Sequence, residues 1–377
     1  MQHYLTAEIS TSAVAANLAL IRKRIGPGRK LCAVVKADCL GHGVELLWPT
    51  IARDADCLAV ATPPEAVQLR ELGYAGPVLL FLSPCGYSDA GELRQALDEL
   101  VRGRVTLTVA SPEEVAPISE AARRVGAQVE IHVKVDTGMT RSGVAPERAP
   151  ALVEQVRGAP GLRLTGLYTH LATADDPDMT AALEQLRRFD EVVRTVPNRD
   201  ELTVHAANSA ATLSMPESHL DMVRTGVAVV GYQLVYESLA DRPPLRPSLR
   251  LWGPLMQVKR APAGSRVGYG LTRRLDRDSL LGLVPAGYAD GYMRRLSNRT
   301  TMRVAGRDVP ALGRVSMDQV VIDLTDVPDP RVGQPVEIIS PDPAAPHSLE
   351  NLARIAETIP QEIVCSLGRR VTRLLAQ

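Results

Sequence analysis

The sequence predicts an α/β fold, with an N-terminal (β/α)8 TIM barrel over residues 1–240 and a mainly-β C-terminal domain over residues 241–377. Three observations lead to this prediction. Eight short apolar runs alternate with longer amphipathic stretches, as in a chain of β/α units. The runs are rich in Val, Leu and Ile, which is typical of parallel strands buried on both faces. After the Pro-Pro pair at 243–244, the pattern changes to short strand-like pieces separated by Gly and Pro turns.

Each apolar run is a predicted barrel strand, and the segments between them are long enough for crossover helices. The runs lie at residues 31–35, 57–61, 78–82, 105–109, 129–135, 162–169, 202–206 and 222–230. Catalytic groups of a TIM barrel follow the carboxyl ends of its strands. Polar residues just past these runs are therefore candidate site residues.

The second domain is predicted to contain strands and one late helix. The strands are expected at residues 252–260, 279–284, 301–304, 319–324 and 335–339. The helix is expected at 349–359, with Ser348 as its N-cap and apolar residues at helical spacing that include Ile359.

Composition excludes several classes of partner. The chain has 43 basic and 43 acidic residues, a formal net charge of zero that argues against nucleic acid or an anionic membrane surface. A small-molecule substrate is expected instead. No apolar run approaches the roughly 18 residues needed to cross a bilayer, so a cytoplasmic location is expected. The five cysteines have no metal-type spacing and are interpreted as reduced thiols, so no metal site is predicted.

Lysine is scarce, which makes Lys36 a candidate for chemistry. Only five of the 43 basic residues are lysines. Lys36 ends a buried run, where partial desolvation would make its amine a better nucleophile for an aldehyde. The glycines at 41 and 43 would let the following turn approach a ligand closely. The residue alone could equally be a lysine that extends from the rim of the barrel into solvent.

The motif around Lys36, Ala-Val-Val-Lys-Ala-Asp-x-x-Gly-His-Gly, resembles the attachment motif for pyridoxal 5′-phosphate (PLP) in alanine racemases. Segments at 132–141, 168–175, 205–209, 267–270, 287–291 and 313–319 are similar to family segments in the same order. The resemblance implies PLP as cofactor and interconversion of L- and D-alanine, which supplies D-alanine for peptidoglycan. It also implies a homodimer with shared active sites.

The resemblance assigns two catalytic bases, Lys36 and Tyr269. Inverting a stereocentre requires one base on each face of the Cα atom. By resemblance, Lys36 takes the proton from the D-enantiomer, and Tyr269 of the partner subunit takes it from the L-enantiomer. A free phenol has a pKa near ~10, so cationic neighbours are expected to lower the pKa of Tyr269, here His170 and Arg224.

Further cofactor contacts are implied after the last two barrel strands. Arg224 would face the pyridine nitrogen of PLP and keep it without a proton, which weakens the electron sink and opposes transamination. The phosphate would lie against Ser209, Gly226 and Val227, and the cofactor ring would be supported by Asn208 and His205.

The resemblance also implies a substrate site. Arg141 would bind the substrate carboxylate, and Lys134, often carbamylated in the family, would orient that arginine. Met317 of the partner subunit would offer its backbone N–H, with Asp318 beside it. Tyr288 would line the narrow channel that leads to the site.

Two positions depart from the family pattern, and both concern the phosphate. Leu40 and Arg369 stand where the family usually has phosphate-binding tyrosines. We expect Arg369 to replace the lost hydrogen bonds with a cationic contact. The alternatives are weaker PLP binding, a substrate range extended to serine or basic amino acids, or a paralogue with little racemase activity.

Two alternative functions do not involve racemisation. A non-catalytic PLP carrier would need neither Tyr269, Arg141 nor the β domain. A PLP decarboxylase needs the protonated electron sink that Arg224 opposes. Both are less consistent with the sequence than a racemase.

Overall fold

The structure is a computed structural model that describes residues 4–232 and 244–376. The first strand, β1, is Leu5–Ile9, and the next eight strands form a parallel barrel in the order β8-β7-β6-β5-β4-β3-β2-β9. These strands are β2 (Lys30–Val34), β3 (Cys57–Val60), β4 (Val78–Leu80), β5 (Val105–Val109), β6 (Val129–Lys134), β7 (Leu162–Tyr168), β8 (Thr203–His205) and β9 (Met222–Thr225). Backbone hydrogen bonds of 3.0 Å from Asp221 N to Val204 O and from Arg224 N to Ala207 O link β8 to β9. The predicted TIM barrel is confirmed, with one strand in each predicted run.

Helices cover the outside of the barrel and contribute to the second domain. They are Thr11–Ile25, Val44–Ile51, Pro63–Glu71, Ala90–Arg102, Val115–Val125, Ala149–Gly158, Thr180–Thr195, Ser209–Ser214, Leu349–Ala356 and Pro360–Cys365. Side-chain caps fix several of their starts. For example, the Ser10 hydroxyl accepts from Ala13 N at 3.1 Å. None of the described helices is both long enough and apolar enough to span a membrane.

The second domain is built on a nine-stranded sheet in the order β11-β14-β17-β16-β15-β18-β10-β1-β19. Its further strands are β10 (Leu249–Pro254), β11 (Gln257–Ala261), β14 (Ser279–Val284), β15 (Thr301–Val304), β16 (Arg307–Leu312), β17 (Val320–Asp323), β18 (Pro335–Ile339) and β19 (Val371–Leu375). The strands β12 (Arg266–Val267) and β13 (Arg273–Arg274) form a separate hairpin. The mainly-β character is confirmed.

Two element boundaries in this domain differ from the prediction. The expected strand 252–260 is two strands, because β10 pairs with β18 whereas β11 pairs with β14. The expected helix 349–359 begins after Ser348 as predicted but ends at Ala356, since Glu357 adopts a left-handed φ of 58°. Ile359, expected on the buried face, is 51% exposed.

Strand β1 belongs to the second sheet, although the sequence analysis placed residues 1–240 in the barrel domain. It pairs antiparallel with β10 and parallel with β19, so it lies between two strands from the other end of the chain. The physical reason is that one face of Leu5–Ile9 packs into the core of that sheet, where Ala7 and Ile9 are fully buried. The predicted boundary at 240–241 lies outside the described residues.

After β2 the chain makes a left-handed turn, Lys36–Leu40, which we call the lysine turn. Four consecutive non-glycine residues have φ between 51° and 55°, namely Ala37, Asp38, Cys39 and Leu40. This conformation costs about 1–2 kcal/mol for each residue that carries a Cβ atom. The surrounding structure must therefore hold the turn in place.

Contacts from the barrel rim hold the lysine turn. The carboxylate of Glu65 accepts from Ala37 N at 2.7 Å, and that of Asp38 accepts from Val44 N at 2.7 Å. The fully buried ring of His42 lies 2.8 Å from the carbonyl oxygen of Leu40. Carboxylate side chains and backbone groups of the protein thus fix the turn without a ligand.

The C-terminal domain holds the turn from its other side. A Cβ atom built on Gly41, which has φ +77°, would lie 2.1 Å from the carbonyl oxygen of Val364. Arg373 donates to Gly41 O at 2.9 Å and to Leu367 O at 2.8 Å. Gly41 is therefore required by both its φ and the close approach of a second backbone.

We predict that Gly41→Ala destabilises the fold by roughly 2–4 kcal/mol, because it combines left-handed strain with overpacking. The matched control is Gly28→Ala, since Gly28 has φ +82° and nothing within 4 Å of an added Cβ atom. The control should cost about 1 kcal/mol. Urea unfolding of both variants measures the difference, and equal losses would contradict the close approach at Gly41.

Candidate active site

Basic side chains collect at the carboxyl end of the barrel. Lys36, Lys134, His170 and Arg224 lie at or just beyond the ends of β2, β6, β7 and β9. All four interact electrostatically, because the charges of Lys36 and Arg224 both act on Lys134 and His170. The structure thus brings these four predicted site residues together.

Lys36 itself is exposed in the chain. The expectation that it is partly desolvated is wrong for the single subunit. The reason is local, since β2 ends at Val34 and the lysine turn carries the side chain beyond the barrel rim.

Lys134 is the last residue of β6 and is only 8% exposed. Burial, and next the charges of Arg141 and Arg224, lower the pKa of Lys134 to about 8. Its Nζ atom lies 5.8 Å from the centre of the Tyr168 ring. About a tenth of the amine is therefore uncharged at pH 7, because burial and the neighbouring cations both disfavour its charged form.

His170 is not the cationic neighbour that the sequence analysis expected. Burial is the largest cause and the charge of Arg224 the next, and together with Arg141 they lower the pKa of His170 to about 3. Its Nδ1 atom accepts from Arg224 at 3.3 Å. His170 is a neutral hydrogen-bond acceptor here, and the positive charge of the site belongs to arginine and lysine.

Arg224 occupies the centre of the site and is 3% exposed. Its Nη2 atom donates to the carbonyl oxygens of Thr169 at 2.9 Å and Ala206 at 3.0 Å, and its Nη1 atom donates to Nδ1 of His205 at 2.9 Å. Within residues 4–232 and 244–376, no carboxylate pairs with this guanidinium and no acceptor meets its Nε–H. A buried cation whose Nε–H is free is suited to an electron-rich ligand atom.

In the barrel interior, Arg224 is supported by Tyr168, which the sequence did not assign to the site. The Tyr168 ring stacks on His205 with centroids 4.7 Å apart, and the Arg224 guanidinium lies 5.1 Å from the Tyr168 ring centre. The Tyr168 hydroxyl is 2.9 Å from the hydroxyl of Thr108. The signal that could have found Tyr168 is inward position on a barrel strand, since polar side chains there must have partners.

A small cradle lies between β9 and the helix Ser209–Ser214. The Ser209 hydroxyl, 8% exposed, accepts from Gly226 N at 3.0 Å and from Ala228 N at 3.4 Å. Among the described residues, no acceptor meets the proton of this hydroxyl. A Cβ atom on Gly226 would lie 3.0 Å from Val34 O and 3.5 Å from Leu40 Cδ1, so an apolar side chain forms one wall of the cradle.

Two other predicted cofactor residues have structural partners. Asn208 caps the helix, with Oδ1 accepting from Ala211 N at 3.0 Å and Nδ2 donating to Leu171 O at 3.2 Å. Val227 is half-buried, and its carbonyl oxygen accepts from Tyr232 N at 3.1 Å.

Arg141 follows a loop organised by Asp136. The Asp136 carboxylate accepts from the backbone N–H groups of Gly138, Thr140 and Arg141 at 3.0–3.2 Å. Among the described ion pairs, this carboxylate is not joined to the Arg141 guanidinium. The Arg141 side chain is exposed and lines a cavity with Lys134 and His170.

Three predicted site residues lie on the surface of the second domain. Tyr269 is 70% exposed, Met317 is 53% exposed and Tyr288 is 44% exposed. Tyr269 lies at the tip of the β12–β13 hairpin, between glycines with φ of +71°. Tyr288 and Met317 are neighbours, because Ala289 N donates to Met317 O at 3.0 Å. Within the part of the chain that is described, none of the three forms a side-chain hydrogen bond to the barrel group.

The segment 366–370 contacts both the loop that carries Met317 and the region behind the lysine turn. Arg370 pairs with Asp290 at 3.0 Å and with Asp318 at 2.8 Å, which fixes the loop that carries Met317. Through Arg373, the same segment is tied to Gly41 behind the lysine turn. Arg369 is exposed within it, and no described residue accepts a hydrogen bond from its side chain.

Comparison with known proteins identifies the family. The model "Alanine racemase, N-terminal domain" matches residues 9–234, and "Alanine racemase, C-terminal domain" matches residues 248–375. Alanine racemase of Desulfovibrio desulfuricans is 39% identical over 98% of both chains, and that of Methanococcus maripaludis is 35% identical over 99% of both.

Solved structures agree over the whole fold. Alanine racemase from Streptomyces coelicolor has a TM-score of 0.90 and 35% identity, covering 99% of this chain and 98% of that one. Biosynthetic alanine racemase from Pseudomonas aeruginosa has a TM-score of 0.85 and 33% identity over 100% of both chains. The chain therefore belongs to the alanine racemase family of enzymes.

Proposed function

We propose that this protein interconverts L- and D-alanine with PLP, and that the D-alanine serves peptidoglycan synthesis. The observation that supports this best is the buried Arg224, which has no carboxylate partner among the described residues and a free Nε–H at the barrel end that carries Lys36. The test is loss of optical rotation with L-alanine in the presence of PLP, with serine, lysine and arginine as comparison substrates. Activity on alanine alone would reject a widened pocket, and no activity on any of them would reject the proposal.

The donor set fits PLP. The free Nε–H of Arg224 suits a pyridine nitrogen, and the free proton of the Ser209 hydroxyl suits a phosphate oxygen. Lys36 would hold the aldehyde carbon through its Nζ atom. When bound there, PLP supplies the electron sink that acidifies the Cα–H bond of an amino acid.

The chain's own residues would move the proton. Lys36 Nζ takes or returns the Cα proton on the face used by the D-enantiomer, and Tyr269 Oη does so on the opposite face. Because Tyr269 is 70% exposed in one subunit and unconnected to the barrel group, we propose that it acts in the site of a second copy. Arg141 binds the substrate carboxylate, and the Met317 N–H, which has no acceptor in the described residues, completes that contact from the second copy.

Mixed dimers test the shared site. Co-expressed Lys36→Ala and Tyr269→Phe chains should recover about a quarter of wild-type activity, since about half of the dimers are mixed and each of these has one intact site. Each variant alone should be nearly inactive. If both bases came from one subunit, every site in a mixed dimer would lack one base. No recovery would then contradict the proposal.

PLP affinity tests the two departures from the family pattern. Leu40→Tyr should tighten PLP binding about fivefold, because it adds one hydrogen bond worth about 1 kcal/mol beside Gly226. Arg369→Leu should weaken it about tenfold or more, through loss of a charge-assisted contact. Arg94→Leu, an exposed arginine on a barrel helix, is the control. PLP titration of the cofactor-free protein measures the PLP affinity of all three variants. An unchanged affinity in Arg369→Leu would reject the role of Arg369 in phosphate binding.

Lys134 is proposed to carry a carbamate. Its neutral amine would attack CO2 and form an N–C bond with release of one proton, so an anion would replace a cation beside Arg141 and Arg224. At fixed dissolved CO2, occupancy should rise as the pH increases through about 8, the pKa of Lys134. Carbon NMR with labelled bicarbonate should show a carbamate signal that Lys134→Gln abolishes. Lys30→Gln should retain it, and a signal that persists in Lys134→Gln would contradict the assignment.

A further inference from the structure

A line of three buried polar side chains crosses the barrel interior behind the proposed cofactor site. Arg224 donates to Nδ1 of His205 at 2.9 Å, and Nε2 of His205 lies 2.9 Å from Nδ1 of His132. Arg224, His205 and His132 are 3%, 0% and 8% exposed. Nothing proposed above gives His132 a role.

The chemistry of the three groups fixes where their protons are. A guanidinium can only donate, so Nδ1 of His205 must be an acceptor without a proton. Burial and the charge of Arg224 lower the pKa of His205 well below its usual value, so the ring is neutral. Its single proton is therefore on Nε2, which donates to Nδ1 of His132.

His132 is held as an acceptor by the same constraints. Burial, followed by the charges of Lys30 and Arg224, lowers the pKa of His132 to about 3. A neutral His132 that accepts at Nδ1 carries its proton on Nε2. Both rings are thus restricted to one tautomer, and the direction of both hydrogen bonds is set.

Packing fixes the positions of the rings as well. A Cβ atom on Gly166 would lie 2.6 Å from three atoms of the His132 ring, so the ring lies flat against a residue that must be glycine. Tyr168 stacks on His205 with an interplanar angle of 5°. Neither ring can move aside without loss of these contacts.

We propose that His132 is a positioning residue that accepts the Nε2 proton of His205, holds the His205 ring with Nδ1 toward Arg224, and thereby aims the Arg224 guanidinium at the pyridine nitrogen of the cofactor. Without His132, the buried Nε2–H of His205 has no acceptor, and the His205 ring is no longer held in this orientation. Arg224 would then lose its fixed acceptor at Nη1 and turn away from its present direction. This inference rests on the proposed function, but its central claim concerns the protein without cofactor.

The test compares two variants with one control. His132→Leu removes the acceptor, whereas His132→Asn retains an acceptor oxygen near the position of Nδ1 and should rescue. The control Thr108→Val removes the hydroxyl 2.9 Å from the Tyr168 hydroxyl, at the residue that pairs with His132 in the barrel register, and removes no hydrogen bond of His132, His205 or Arg224. Thr108 is equally buried, so general disturbance of the barrel interior would affect it too.

The first readout is nitrogen NMR of histidine-labelled protein without PLP. Wild type, His132→Asn and Thr108→Val should have His205 protonated on Nε2 alone, with this N–H protected from exchange with solvent. In His132→Leu the Nε2–H of His205 should exchange about tenfold faster or more. The second readout, in the holoenzyme, is the ratio of transamination to racemisation, which should rise about fivefold or more in His132→Leu.

Several results would overturn the inference. A wild-type His205 protonated on Nδ1, or charged, would do so without any variant, and therefore even if His132→Leu fails to fold. An Nε2–H of His205 that exchanges as slowly in His132→Leu as in wild type would do so as well. If the NMR result holds but no racemase activity exists, the proposed function fails and the proton arrangement stands.

Discussion

The site depends on keeping one guanidinium charged inside the barrel without a carboxylate beside it. Transfer of an ion from water to a protein interior costs several kcal/mol even after relaxation. For Arg224 this cost is offset by two backbone carbonyl groups and two imidazole nitrogens rather than by an opposite charge. A neighbouring carboxylate would offset it further, but it would also occupy the donor that faces the site. The neutral histidines follow from this arrangement, because burial, and next the charge of Arg224, lower the pKa of His170 and His205.

The barrel could be predicted from the sequence because its strands are continuous apolar runs. Such runs can be recognised without knowing which strands pair with each other. Strand β1 shows the limit of this approach. Its apolar residues alternate at Leu5, Ala7 and Ile9, as in a half-buried strand, but alternation does not say which sheet the strand joins. Strand β16 contains Pro310, which usually argues against a strand, and the two-residue strands β12 and β13 are too short for any periodicity.

Much of the candidate site was also predictable, since polar residues at strand ends meet at one end of a barrel. Lys36, Lys134, His170 and Arg224 were found in this way. Their protonation could not be predicted, because the lowered pKa of His170 depends on its burial and then on arginines from other parts of the chain. Tyr168 and His132 lie within apolar runs, where a polar side chain is ordinarily read as a satisfied core residue. Only the distances between side chains show that they contact the site.

The position of β1 has a consequence for how the protein is made. This strand leaves the ribosome early, whereas its partners β10 and β19 are made only after the whole barrel. Until β10 and β19 are made, both edges of β1 lack the strands with which they pair. Unpaired strand edges are sites of mispairing. Glu8 contacts Trp252 and Arg250 only in the finished sheet. Before then, its charged side chain would keep β1 hydrated. The sheet of the second domain can therefore be completed only after β10 and β19 have been made, although it contains the first strand of the fold.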